Sequence, residues 1–195
     1  MNVIHAVRSV VGHAFRPLHA GARKLLSHDV QLAPRSGASL SLQSPAFEAN
    51  GEIPRKYSGE GENLSPPLNW SGIPGQTREL LLICEDPDAP KVEPFVHWVL
   101  YGLPPSQTRL PEGVPAMEAL ASITDARQSK NSAGDVGYTG PMPPVGHGVH
   151  HYHFQLFALD EPVRVDNNPD RRDLAAAMSG HVLAVGELIG TYERK

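Results

Sequence analysis

The 195-residue sequence contains one cysteine, Cys84, which excludes an internal disulfide framework and fits a reducing compartment. Long apolar runs are missing too, so we expect no transmembrane segment. No unbroken apolar stretch follows the first arginine, which argues against a secretory signal. Together, these absences predict a soluble, cytoplasmic protein.

Motifs for nucleotide or acyl chemistry are also missing. The sequence has no P-loop, no dinucleotide-binding glycine pattern and no G-x-S-x-G elbow. Ser65 and Ser71 have no recognisable base beside them, and Cys84 lies in an apolar run that predicts burial rather than reactivity. We therefore expect a binding protein without a cofactor rather than an enzyme. Acid–base catalysis by an acid–histidine pair stays open as an alternative.

Acidic residues are absent from residues 1–28, which hold four of the 17 basic side chains. All 21 acidic residues lie further along, so residues 29–195 carry a net charge of −8. An acidic body repels a phosphate backbone, and we expect no nucleic-acid partner. The acid-free, arginine-bearing start resembles an organellar transit peptide, which leaves targeting to an organelle open.

The first 37 residues predict a basic helical arm and linker, ahead of a domain at 38–195. Apolar residues recur every seven positions from Ile4 to Leu25, the spacing of one helical face. Pro17 interrupts the pattern, which predicts two short helices. We expect the arm to dock on its own domain or on a second subunit, and we expect a homodimer.

Proline and glycine are abundant, at 19 and 18 residues, and separate short apolar runs. This texture favours a mainly β domain with short helices at both ends. We predict a helix at 170–179, with Asp170 as its N-cap and Gly180 beyond its end. The predicted strands are 39–44, 79–85, 95–103, 150–159 and 181–193.

The stretch 146-GHGVHHYHF-154 is unusually rich in histidine. On a strand, His150 and Tyr152 share one face, while His151 and His153 share the other. The second pair would need a further ligand to hold a metal in a metal-dependent enzyme, and His97 and His181 are candidates, but no spacing compels either. We therefore predict no metal site, and we expect this second pair on a solvated face.

The loop 86-DPDAP-90 follows an apolar strand and places carboxylates at its end. His97 lies soon after, within the apolar run 95–103, and a buried histidine needs a hydrogen-bond partner. We predict Asp86 or Asp88 as that partner, which would leave the other ring nitrogen ready to donate. A satisfied core histidine is the simpler alternative for His97 alone.

Five motifs follow one another between about residues 38 and 194. They are 63-NLSPPLNW-70, 86-DPDAP-90, the pair His97-Trp98, 140-GPMPPVGHGVHHY-152 and 180-GHVLAVGELIGTYER-194. Together they resemble the phosphatidylethanolamine-binding protein family, also called the Raf kinase inhibitor protein family, and its bacterial branch in particular. His151 departs from the family pattern, which commonly has arginine there.

The resemblance implies a β-sandwich of two sheets with a small pocket at one end that accepts anions such as a phosphate head group. It also implies a cis peptide in the loop 86–90. Carried over position by position, the ligand-binding residues are Asp86, Asp88, Ala89, Pro90, His97, Gly140, Pro143, Pro144, His150 and Tyr152.

These observations predict a regulatory protein that binds a small phosphorylated or carboxylated ligand. The donor set is His97, His150 and Tyr152, with Asp86 behind it. The resemblance also permits an alternative, an inhibitor that contacts a kinase or protease partner through its surface.

Overall fold

The computed structural model describes residues 19–195, and these fold mainly as β-strands. The strands are β1 (Ser41–Gln43), β2 (Leu68–Ser71), β3 (Glu79–Asp86), β4 (Phe95–Leu103), β5 (Arg109–Leu110), β6 (Arg127–Gln128), β7 (His150–Leu159) and β8 (Val182–Tyr192). They pair antiparallel in two sheets, in the orders β1-β2-β5 and β6-β4-β3-β7-β8. The predicted two-sheet β fold is confirmed.

One α-helix follows β7 in the chain, α1 (Arg171–Met178). The Asp170 carboxylate accepts hydrogen bonds from the first-turn amides. The Asp173 carboxylate in turn accepts one from the Asp170 amide, which completes a capping box. Gly180 takes a positive φ of 78° after the helix. The predicted helix and its cap are confirmed. Among residues 19–195, no helix is long and apolar enough to cross a bilayer.

The main core lies between the two sheets, and β3 shows how the sequence divides its side chains. Leu80, Leu82 and Cys84 point into this core, whereas Leu81 and Ile83 belong to a second apolar cluster on the outer face. Alternation along a strand produces this division. Cys84 is fully buried, as predicted, and burial raises the pKa of its thiol.

The outer face of the large sheet is covered by α1 and by residues 19–37. The predicted helical pattern of the arm does not continue here, because the chain forms 3₁₀ turns at Ala22–Lys24, Leu26–His28 and Val30–Leu32. Each turn stops after three residues, because Leu25, Asp29 and Ala33, which follow them, have ψ angles of 149°, 122° and 130° rather than helical ones. Residues 1–18, which carry the rest of that prediction, lie outside the described residues.

Candidate functional site

A cavity of about 350 Å³ opens where β3, β4 and β7 meet the loops 86–91 and 139–144. All the predicted site residues except Asp88 line it: Asp86, Ala89, Pro90, His97, Gly140, Pro143, Pro144, His150 and Tyr152. The aromatic rings are packed together, with the His97 and His150 centroids 5.0 and 6.5 Å from that of Tyr152. The two histidine segments therefore meet at one site.

A β-bulge turns His97 towards the cavity. The β3–β4 register pairs Cys84 with Trp98 and Glu85 with Val96, so His97 has no partner across the ladder. A bulge residue is re-aimed relative to simple alternation, which is why His97 and its neighbour Trp98 both lie on the inner side. The apolar run 95–103 gives no sign of this extra residue.

The predicted partner of His97 is wrong. Its Nδ1 donates to the backbone carbonyl of Thr139 at 2.7 Å, rather than to Asp86 or Asp88. Since a carbonyl only accepts, this bond fixes the hydrogen on Nδ1 and leaves Nε2 as an acceptor while the ring is neutral. Burial lowers the pKa of His97, an effect that the negative charge of Asp86 partly opposes.

Asp86 instead orients His150. One carboxylate oxygen lies 2.7 Å from His150 Nδ1, while the other accepts from the amides of Asp88 at 2.8 Å and Ala89 at 3.1 Å. The remaining His150 nitrogen, Nε2, is 2.7 Å from Nδ1 of His147. Both ring nitrogens of His150 are thus already engaged, so its role at the cavity wall differs from the free donor that the sequence predicts.

Tyr152 is one of the residues that line the cavity, and its buried hydroxyl has no hydrogen-bond partner among the described residues. The side chain is 1% exposed. Burial raises the pKa of its phenol far above the usual range, and the charge of Asp86 adds to this effect. Tyr152 therefore stays protonated at neutral pH and can donate.

Sequence reasoning missed several residues of the cavity: Lys91, Phe95, Ala133, Thr139 and Met142. The Lys91 ammonium lies 4.7 Å from the centroid of the Phe95 ring, a cation–π contact. It adds an ammonium group to the residues that line the cavity. Its position directly after Pro90 was a signal for it, because the loop 86–90 was already assigned to the pocket.

Asp88 points away from the cavity, towards His151. Its carboxylate lies 2.7 Å from His151 Nδ1 and accepts from the His151 amide at 2.9 Å. His153 pairs instead with Glu187 at 3.0 Å and is only 7% exposed, so the expectation of a solvated face holds for His151 alone. Within residues 19–195, no three metal-ligating side chains are grouped to hold an ion.

The loop 86–90 differs in one respect from the expectation drawn from the family resemblance. Residues 19–195 contain no cis peptide bond, so the cis peptide expected in this loop is absent. The backbone amides of Asp88 and Ala89 donate hydrogen bonds to the Asp86 carboxylate, and these bonds hold the turn with its peptide bonds trans.

Comparison with known proteins places this chain in a family. The sequence model described as phosphatidylethanolamine-binding protein matches residues 43–193. A UPF0098 protein from Methanothermobacter thermautotrophicus is 44% identical over 155 residues, which cover 80% of this chain and 99% of that protein. A solved phosphatidylethanolamine-binding protein homologue from Chlamydia trachomatis is 38% identical with a TM-score of 0.72, and the match covers 80% of this chain and 99% of that one.

Two further solved structures extend the comparison. YbcL from E. coli, described as a member of the mammalian PEBP family, is 30% identical with a TM-score of 0.75, over 81% of this chain and all of its own. A carboxypeptidase Y inhibitor, solved with its cognate proteinase, is 17% identical with a TM-score of 0.50, over 96% of this chain and 97% of its own, and shares the fold alone. The motifs, the two-sheet fold and these relatives agree: the chain belongs to the phosphatidylethanolamine-binding protein family, among its bacterial and archaeal members.

Proposed function

We propose that the cavity binds a small phosphorylated or carboxylated ligand and that the protein is a regulatory binding protein rather than an enzyme. The observation that carries this proposal is the Tyr152 hydroxyl, a buried donor without a partner. Buried polar groups in proteins are nearly always paired, so an unpaired donor beside a cavity marks the position of a ligand acceptor. An oxygen of a phosphate or carboxylate meets this need.

The other polar atoms of the cavity suit the same class of ligand. The Lys91 ammonium supplies positive charge at the lining. His97 Nε2 accepts a hydrogen bond from a phosphate that keeps one proton, or donates to the fully ionised form once the ring is protonated. Apolar neighbours such as Phe95 and Met142 reduce the water around the ligand, which strengthens each polar contact.

Replacing Tyr152 by phenylalanine tests the proposal directly. We expect Tyr152→Phe to weaken binding of O-phosphorylethanolamine about tenfold, the loss of one net hydrogen bond of about 1.4 kcal/mol. The melting temperature should not fall, because the hydroxyl has no protein partner to lose. Calorimetric titration and thermal unfolding measure the two effects.

Tyr138→Phe is the matched control. The Tyr138 hydroxyl donates to the Tyr57 carbonyl at 2.9 Å, so its removal should lower stability by about 1 kcal/mol and leave affinity unchanged. If millimolar O-phosphorylethanolamine does not shift the imidazole NMR signals of His97 in the wild-type protein, the proposal is wrong.

Inhibition of a kinase or protease by surface contact stays a separate prediction. The Tyr152→Phe variant distinguishes the two functions, because it changes the cavity and leaves the surface intact. If a partner protein is inhibited equally by the wild type and by Tyr152→Phe, in spite of the weaker anion binding of this variant, inhibition acts through the surface.

A further inference from the structure

The segment 19–32, here called the strap, crosses the outer face of the large sheet and lies outside the matched family region, which begins at residue 43. Leu26 is fully buried in the outer apolar cluster, together with Leu32, while Leu25 is 1% exposed. These apolar side chains attach the strap to the sheet next to the end of β3, where the cavity begins.

A buried polar contact fixes the register of the strap. Glu85, which is fully buried, accepts hydrogen bonds from the Leu26 amide at 3.0 Å and from Gln155 at 2.8 Å, and it also pairs with Arg171. Gln155 in turn accepts from the Ser27 amide at 2.7 Å. A strap that slid by one residue would leave these buried groups short of a partner, which is costly.

From this anchor, the strap reaches the loop that forms one wall of the cavity. The Gly21 amide donates to the Pro87 carbonyl at 3.0 Å. The Lys24 ammonium donates to the Val92 carbonyl at 2.7 Å and lies 3.5 Å from Glu93. The strap therefore holds the loop on both sides of Ala89, Pro90 and Lys91, the residues that face the cavity.

We infer that the strap positions this wall of the cavity, with Lys24 and Leu26 as positioning residues for ligand binding. This inference rests on the proposed binding function and goes beyond it, since it assigns a role to a segment that the family model leaves out. A wall that is held in place before binding costs less entropy to order when the ligand arrives. Undocking the strap should then free the loop and weaken binding together.

Two substitutions in the full chain test whether the strap positions the cavity loop or only covers the outer face of the sheet. Lys24→Met keeps the apolar part of the side chain but removes the bond to Val92, and Leu26→Ala loosens the anchor itself. We expect amide exchange at Asp88 and Ala89 to speed up about threefold in the first variant and about tenfold in the second. The affinity for O-phosphorylethanolamine should fall by similar factors.

Met178→Ala is the matched control, because Met178 is fully buried in the same outer cluster but lies at the end of α1 away from Arg171, which contacts Glu85. It should lower the melting temperature without changing the exchange of the loop amides or the affinity. Equal losses of affinity in Met178→Ala and Leu26→Ala would show that the strap only covers the sheet, and would overturn the inference. If the wild type does not bind O-phosphorylethanolamine, the proposed function fails, and the exchange rates of Asp88 and Ala89 still decide whether the strap positions the loop.

Discussion

Tyr152 and His97 offer the cavity polar atoms of opposite kinds. The Tyr152 hydroxyl is a donor at any pH near neutrality, because burial raises its pKa. His97 Nε2 is an acceptor while the ring is neutral, and burial favours the neutral ring by lowering the pKa of His97 below its ordinary value of about 6.5. An oxygen of a fully ionised phosphate and Nε2 of neutral His97 are both acceptors, so they cannot form a hydrogen bond with each other. Binding of this form therefore requires a proton on His97 or on the phosphate.

This mismatch predicts that anion affinity rises as pH falls. Protonated His97 attracts the anion and the anion stabilises the protonated ring, so the pKa of His97 is higher in the complex than in the free protein. Affinity should therefore increase, by up to tenfold per unit, as the pH falls from the pKa of the complex to that of the free protein, which burial holds below the ordinary value. Titration calorimetry with O-phosphorylethanolamine at pH 5.5, 6.5 and 7.5 measures the slope. Since the second phosphate pKa also lies near 6, the ligand contributes to the same slope.

His97→Gln separates the protein's share from that of the ligand. The affinity of this variant should depend less on pH. Tyr152→Phe should instead lower the affinity by the same factor at every pH. An affinity of the wild type that does not change between pH 5.5 and 7.5 would show that neutral donors account for binding.

The histidine assignments show what strand alternation can and cannot predict. It correctly separated the faces of β7, because His150 and Tyr152 point inward and His151 points outward. It could not assign the carboxylate, because Asp86 reaches His150 across the sheet at a distance that only the β3–β7 pairing sets. The contact between His147 and His150 could not be predicted either, because it depends on the fold of the loop before β7.

At the scale of elements, the segment 139–144 forms the wall opposite the loop 86–91. It is held close to the turn after Pro54, where the Gly59 amide donates to the Pro141 carbonyl at 2.9 Å. The Gly140 amide donates to the Asn63 side chain at 2.6 Å. A Cβ on Gly140 would lie 2.8 Å from the Ser58 Cα, closer than real side chains approach a backbone. Glycine is therefore required by space at this position.

Gly140→Ala should move the wall. The backbone it meets cannot rotate away, so we expect a loss of about 1–3 kcal/mol in unfolding free energy, as in overpacked cores, together with weaker binding of O-phosphorylethanolamine. Chemical denaturation and calorimetric titration measure the two. Gly75→Ala is the control, because a Cβ there meets nothing within 4 Å, and it should change neither quantity. Full affinity in Gly140→Ala would mean that this wall does not contact the ligand.

The long strands could be predicted because each is an apolar run bounded by turn residues, as in β3 and β4. The short strands β5 and β6 could not, since each has only two residues and pairs at an edge. The helix predicted from the seven-residue apolar spacing after Pro17 is also wrong. The chain forms 3₁₀ turns there, in which Leu25 and Leu26 are buried. Burial of a few side chains outweighed helical periodicity there.

At the scale of the molecule, the arm and the domain are chemically unlike. Residues 1–28 are basic and free of acids, while residues 29–195 carry a net charge of −8. The family model covers 43–193, so we propose that residues 38–195 form the shared binding domain and that the first 37 residues are an addition to it. The homodimer and the cytoplasmic location stay predictions.

Removing residues 1–37 should therefore uncover a surface rather than unfold the domain. Leu26 and Leu32 leave an outer face that contains Leu81 and Ile83, and each buried leucine contributes about 1.5–3 kcal/mol. A contiguous exposed apolar patch of this kind promotes association. We expect a lower melting temperature and a larger mass by light scattering than for the full chain. A second truncation that removes only residues 1–18 keeps the strap, so its difference from the first truncation measures the effect of residues 19–37. The same mass and melting temperature for all three chains would contradict docking on the sheet.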